Sequence, residues 1–537
     1  MLDLSRKAGE RVHNKVVFKE YNQKQGMLPL DIETLIPENH MVRIISRAID
    51  EMDLHPLIAQ YPGGGRASFH PAMMTKLIVY AYSDKIYSSR RIEKAARENI
   101  MYMWLCRGQA PDFKTINTFR SERMKESLLH IFSEVVELLI RSGHIKLENY
   151  FMDGTKIEAN ASKYSWVWGK ATKNYKKKLQ EKCREIFEIA DLANKAEDES
   201  YGEEDLEELG ESREIDSAAI EETVRRINTR LSDGKDSVVS QDREKLNKLK
   251  KTLERDCLPR MKKYEHQEKV LSERNSYSKT DTDATFMRMK EDHMGNGQLK
   301  PGYNVQIGTE NQYVIGYSIH QHAGDTSCMK QHMEKLEKIL GNRFPSNMVA
   351  DAGYGSEENY EYLETRGTGC YVKYNTFHKE ASRKWKSDPL KTQNWQYREE
   401  DDTFKCAGGR TLSFSREAIQ KSLNGYRSKI RIYSCEDCNG CIYRENCIKS
   451  SNPEAVRHIQ INIRGNELRN KAKQNLTSEY GLKMRKLRPV EVESVFGQIK
   501  ADAGMRRFSL RGKSKVELEW GLHCIGHNFR KLAIALQ

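Results

Sequence analysis

Leu487-Arg488-Pro489-Val490-Glu491-Val492-Glu493-Ser494-Val495-Phe496-Gly497-Gln498-Ile499-Lys500 is the stretch from which the rest of the chain can be read. Pro489 suits the first turn of a helix, where its missing N–H costs nothing. Val492, Val495, Phe496 and Ile499 recur at three- and four-residue steps and make one apolar stripe. Glu493, Gly497 and Lys500 fall together on a neighbouring face. A carboxylate and an ammonium beside a buried stripe can look into a cleft, or they can be an ordinary surface ion pair. This stretch alone leaves both readings open.

The chain has 537 residues, too many for one simple core, which predicts two to four domains or one domain with large insertions. Lys and Arg number 90 against 77 Asp and Glu, a net charge of +13. A chain this basic points to a polyanionic partner, nucleic acid first. Its apolar runs fall short of the roughly 18 residues a membrane span needs. Met1-Leu2-Asp3-Leu4-Ser5-Arg6-Lys7 has no signal-peptide core, so a cytoplasmic location is expected. Eleven cysteines in that compartment read as thiols or metal ligands rather than disulfides.

Residues 1–145 read as mostly helical. Met41 to Met52 and Ala72 to Tyr82 carry apolar residues at helical spacing, and Tyr61-Pro62-Gly63-Gly64-Gly65-Arg66 reads as a loop. A capping signal opens at Ser88-Ser89, and a helix from Thr115 runs past Arg120 through Phe132 and Ile140. Short helices, a Gly/Pro turn and an Arg-bearing helix resemble a helix-turn-helix, which suggests DNA binding; plain bundle packing explains them as well.

Tyr150 to Asp153 reads as an apolar strand ending on a carboxylate, with Gly154 as a turn. From 163 to 279 the composition shifts to Lys, Glu, Arg and Asp. Leu179, Cys183, Ile186, then Ile220, Val224, Ile227, then Leu246, Leu249, Leu253 make narrow seams on solvated helices. This predicts a helical hairpin or three-helix insertion, with the acidic stretch Glu197 to Asp205 as a loop. Tyr303 to Thr309 and Val314 to Ile319 form a hairpin. Met329 to Leu340 is helical, Met348 to Ala350 is a buried strand ending on Asp351, Glu357 to Leu363 is helical, and Cys370 to Tyr374 is a last strand. The order predicts an α/β mixed sheet broken by large excursions.

A second excursion, 376–480, holds Cys406 and then Cys435, Cys438, Cys441 and Cys447. Their spacing suits a structural zinc site in a core-poor module; unligated thiols or an iron–sulfur cluster remain open. Around Glu493 lie Lys483, Arg485, Lys486, Arg488, Lys500, Arg506, Arg507, Arg511, Lys513 and Lys515, either a solvated basic face or a groove tracking phosphates.

Asp153, Asp351 and Glu493 stand out as three carboxylates on separate elements. Hard divalent metals take oxygen ligands, and two such ions can support in-line attack on a phosphodiester. Singly, each acid has a common structural explanation.

Phe151-Met152-Asp153-Gly154-Thr155-Lys156-Ile157-Glu158-Ala159-Asn160-Ala161, Val349-Ala350-Asp351-Ala352-Gly353-Tyr354 and Val492 to Lys500 resemble the three signature blocks of DDE transposases of bacterial insertion sequences. Arg506-Arg507-Phe508, Glu519 to Asn528 and the region from Pro37 to Phe132 are similar to that family too. The resemblance implies a ribonuclease H-like catalytic domain over 146–537, a helical DNA-binding domain over 1–145, and insertions at 163–279 (helical, charged) and 376–480 (Cys-rich). It implies that Asp153, Asp351 and Glu493 bind two Mg²⁺ or Mn²⁺ ions, and that Lys500, Arg488, Arg506 and Arg507 contact DNA. The family's arginine four residues before the glutamate and its tyrosine three earlier fall on Pro489 and Lys486 here, with Arg488 displaced by one as the candidate substitute. The implied reaction is cleavage at terminal inverted repeats and transfer of the 3′-hydroxyl ends to target DNA, by at least a dimer, at the bacterial nucleoid. A nuclease of the same fold and a catalytically silent DNA-binding descendant are the alternatives.

Overall fold

A computed structural model of the protein describes residues 31–61, 68–198, 215–233, 240–289, 297–422 and 424–537. The glycine loop after Tyr61, the acidic stretch from residue 199 and the N-terminal heptapeptide therefore lie outside the described residues.

Five strands form the central sheet: β1 (Asn149–Glu158), β2 (Leu299–Glu310), β3 (Tyr313–His320), β4 (Asn347–Ala350) and β5 (Gly369–Val372). They lie in the order β3-β2-β1-β4-β5, with the short strand Thr285–Arg288 extending the edge of β2. β1 to β3 are antiparallel, whereas β4 and β5 run parallel to β1. This is the strand order and polarity of a ribonuclease H-like sheet. Asn311 and Gln312 both take positive φ, the backbone a tight β2–β3 hairpin turn demands.

Asp153 does not end its strand. β1 continues to Glu158, and Gly154 pairs with Gln306 as an ordinary strand residue. The glycine answers close packing rather than a turn, because a Cβ there would overlap the Gln306 amide.

The C-terminal helix Lys513–Ala535 runs through the middle of the molecule. Trp520, Leu522, Ile525 and Phe529 are fully buried, and it packs on β3 and on the helices Met41–Glu51, Pro71–Ser83 and Met124–Arg141. Val42, Leu77 and Phe132 of the N-terminal helices share one apolar core with Tyr150, Ile307 and Trp520. Arg120 is buried there: it donates to the Tyr87 carbonyl (2.9 Å), Tyr82 Oη (3.2 Å) and Asn117 Oδ1 (3.1 Å), so this arginine fastens helices instead of facing a ligand.

Between β1 and β2 the chain makes three long helical runs, 169–198, 217–233 and 240–271, over a two-stranded foot (Trp166–Trp168 with Ser276–Ser278). Leu179, Cys183, Ile186, Ile220, Val224, Ile227, Leu246 and Leu253 close a core of their own. Between β5 and the Glu493 helix lies a five-stranded antiparallel sheet, Gln396 to Ile461, with a small separate core.

Pro489 is not at a helix start. The helix begins at Glu479, capped by Ser478 accepting from Gly481 N–H (3.0 Å), and is continuous to Asp502. Proline cannot donate to the preceding turn and its ring crowds the carbonyl there, so an ordinary α-turn is blocked. The chain widens instead: Pro489–Glu493 is a π-turn in which Ser494 N–H donates five residues back to the Pro489 carbonyl, and a second π-turn follows at Gln498–Asp502.

Candidate active site

Asp153 and Asp351 meet because β1 and β4 are adjacent and parallel. Met152 pairs with Ala350, so the next residue on each strand is an aspartate. Asp153 is buried; Asp351, just past β4, is half-buried and accepts from Gly353 N–H (2.8 Å), which fixes the turn that follows.

Glu493 approaches from the helix. Val492, Val495, Phe496 and Ile499 are buried as the apolar stripe required, leaving Glu493 exposed on the adjoining face. Arg488 links it to the sheet: its Nη2 donates to Glu493 Oε1 (2.8 Å) and its Nη1 lies 3.4 Å from Asp153 Oδ2. The π-turn makes this possible. With hydrogen bonds running five residues back, the residue five before Glu493 comes round onto its side of the helix. Arg488 thereby takes up the position that a residue four earlier would hold in an α-helix.

Lys500 Nζ is 3.4 Å from Thr155 Oγ1, so Lys500 and Arg488 reach the same face of β1 two residues apart. Arg507 donates to the carbonyls of Ala159 (3.1 Å) and Ala161 (3.2 Å), tying its loop to the end of β1, while Arg506 beside it is exposed. Glu519 holds the same loop from below through the backbone N–H groups of Ser509 and Leu510.

Several groups at the site had no assigned role in the sequence reading. Lys373, just past β5, has its ammonium pKa lowered by burial and by Arg488 and Arg485, with Asp351 and Glu493 opposing. Tyr354 is fully buried, its pKa driven well up by burial and by Asp325, Asp153 and Asp351; it donates to Gln306 Oε1. Asp325 accepts from Asn304 (2.7 Å) and Gln306 (3.0 Å), which makes a fourth carboxylate behind the pair. Short polar side chains in a Gly-Asp-Thr-Ser loop gave no periodic signal to find it by.

Among the described residues, no three His, Cys, Asp or Glu side chains stand at metal-holding geometry. Asp153, Asp351 and Glu493 nonetheless offer the all-oxygen donor set that hard divalent cations take, around a cationic rim. Cys435, Cys438, Cys441 and Cys447 lie elsewhere, together with Cys406, in the five-stranded insertion.

A polynucleotide-processing protein of ribonuclease H-like fold is the class that this sheet and this acidic, basic-rimmed site describe. A family model for a transposase DDE domain matches residues 405–533, and one for a second transposase domain (DUF772) matches 30–122. Both matches support a DDE transposase of the insertion-sequence type, a kind of enzyme that cuts and transposes DNA. The first match spans Arg488, Glu493, Lys500 and the cysteines; Asp153 and Asp351 lie outside both. No curated protein and no solved structure matches the chain. No described helix is long and apolar enough to cross a membrane.

Proposed function

We propose that this transposase binds the terminal inverted repeats of its element, hydrolyses a phosphodiester at each end and transfers the freed 3′-hydroxyls to target DNA. Asp153, Asp351 and Glu493 are the acids that would hold Mg²⁺ or Mn²⁺. The observation carrying this reading is the reach of one guanidinium, Arg488, to both Asp153 and Glu493, with Asp351 beside Asp153 across the β1–β4 pair.

Bound divalent cations would polarise the scissile phosphate and lower the pKa of the attacking water or hydroxyl. The chain's own groups do the rest. β1 and β4 fix two carboxylates rigidly, and the helix brings the third. Lys500, Arg506 and Arg507 would meet the phosphodiester backbone, with Lys373 adding positive charge near Asp351 and Glu493. The N-terminal helices, sharing the core of the sheet, would hold the end sequence in fixed register with the acids. Two ends must be joined in one event, so the working form on DNA is at least a dimer.

The test is Asp351→Asn in a reaction with Mg²⁺, labelled DNA carrying the element's own ends, and a plasmid target. Wild type should give nicked ends and joined products, both lost in the variant with its melting temperature kept. Cleavage by the variant at the wild-type rate overturns the acid assignment. Cleavage without joined products in wild type would mark a nuclease of the same fold instead.

A further inference from the structure

The five-stranded insertion carries chemistry that the acidic site does not use. Its second and third strands, Thr403–Lys405 and Thr411–Lys421, are joined by a tight loop in which Cys406 N–H donates to the Arg410 carbonyl (2.9 Å). Cys435 ends the next strand, paired with Leu412. Cys438 and Cys441 follow in a loop, and Cys447 closes the short helix Arg444–Cys447. These five thiols, none in a disulfide, line one cavity of about 20 Å³.

Several features set the cluster apart from cysteines that merely fill a core. Cys406, Cys441 and Cys447 are only half-buried, whereas core cysteines are usually fully enclosed. Arg457 backbone N–H points at Cys438 Sγ (3.4 Å), a bond that a thiolate accepts far better than a thiol. The Arg410 guanidinium clasps the Cys435–Cys438 loop through the Asp437 carbonyl (3.1 Å) and carboxylate (3.0 Å), the kind of outer support that ligand loops receive. Gly408 leaves room for one of the sulfurs: a Cβ there would stand 2.7 Å from Cys441 Sγ. The module's own apolar core is little more than Trp395, Leu412, Tyr433 and Ile459, which is thin for a five-stranded sheet.

Size chooses the ligand. A cavity of about 20 Å³ holds roughly one water-sized sphere, room for a single ion. Thiolate donors in fours select Zn²⁺ among the common divalent ions. We infer that the insertion binds one Zn²⁺ through four of the five thiolates Cys406, Cys435, Cys438, Cys441 and Cys447, the fifth standing beside the site. The sulfurs ring the cavity without meeting at ligating geometry, so binding draws them inward. Three of them are on loops, where such movement costs little. Each ligating thiol gives its proton to solvent as its sulfur–metal bond forms, so affinity rises with pH. Zinc here would fasten the sheet from which the chain returns to the Glu493 helix.

The experiment uses the full-length, freshly reduced protein. Metal analysis should give one zinc per chain. After chelation, Co²⁺ should produce the intense visible bands of tetrahedral thiolate coordination, discharged by one equivalent of Zn²⁺. Among single Cys→Ser variants at the five positions, four should bind Zn²⁺ more than about 100-fold more weakly and one should stay near wild type. If a variant does not fold, the Co²⁺ spectrum of wild type still decides the matter. Wild type with neither zinc nor thiolate–Co²⁺ bands, or with iron and acid-labile sulfide, overturns the inference, as would wild-type affinity in all five variants.

Discussion

Arg488 Nη1 lies 3.4 Å from Asp153 Oδ2, and the same guanidinium holds Glu493 Oε1 at 2.8 Å. A cation thus sits between two of the acids proposed to hold metal, and it is only 12% exposed there. The bond to Glu493 is charge-assisted and the ion pair to Asp153 adds to it, so the guanidinium competes with an incoming divalent ion for both acids. Arg488→Ala should therefore tighten Mn²⁺ binding to the DNA-free protein by about tenfold. It should also slow end cleavage, because the guanidinium no longer meets the DNA phosphates. Mn²⁺ titration followed by electron paramagnetic resonance reads the first effect, and unchanged affinity would remove Arg488 from that role.

Glu493→Gln keeps the size of the side chain and removes its charge. End cleavage should drop more than about a hundredfold, with the melting temperature within a degree or two of wild type, since Glu493 is exposed and its arginine pair is a single contact. A large loss of stability instead would make it a structural residue.

Glu310 is buried and accepts four backbone N–H groups, those of Lys146, Leu147, Glu148 and Asn149, at 2.7–3.1 Å. It anchors the entry to β1, the strand of Asp153. Glu310→Ala leaves those donors without their acceptor and should destabilise the protein by about 3 kcal/mol. Denaturant unfolding checks this; a change below about 1 kcal/mol would mean that water replaces the carboxylate.

Gly154→Ala would press a methyl group into the Gln306 amide beside Asp153. Overpacking at such a site costs about 1–3 kcal/mol. The strand must bow or Gln306 must turn, so cleavage should fall together with the melting temperature. Full activity at a wild-type melting temperature would show that Gln306 gives way freely.

Burial lowers several histidines of the core, among them His523 to about 3, with Arg530 and Arg120 adding to the effect; His527 to about 4; and His320 to about 4, where Lys513 adds. Unfolded histidine titrates near 6.5. Their neutral forms stabilise the fold fully above that pH. Below it the unfolded chain takes up protons first, so stability is lost as pH falls from about 6.5 towards 4. The melting temperature should drop steeply between pH 7 and pH 5, and His527→Asn should flatten that slope. A level profile over this range would contradict the buried neutral state.

Periodicity alone placed the hairpin of β2 and β3, the strand before Asp351, the C-terminal helix and the apolar stripe beside Glu493, because each is a local pattern of burial that folding preserves. The residue types and their order also marked Asp153, Asp351 and Glu493 and the cysteine spacing. Other features depend on partners distant in the chain. Gly154 continues its strand, paired with Gln306, whose amide fills the space that a Cβ would take. Arg120 turns inward because Tyr82 and Tyr87 offer acceptors there. Asp325 joins the site through Asn304 and Gln306.

The helix of Glu493 shows the division most directly. Its sequence determined which face is apolar and that a proline lies within reach of the glutamate. Only the folded chain decided that the helix starts ten residues before Pro489 and widens at it, bringing Arg488 onto Glu493 and across to Asp153. Side-chain polarity is written residue by residue, and so it can be read from the chain. The turn that a proline forces, and the partner it delivers, are settled by which carbonyls and carboxylates the tertiary structure brings within a hydrogen bond's reach.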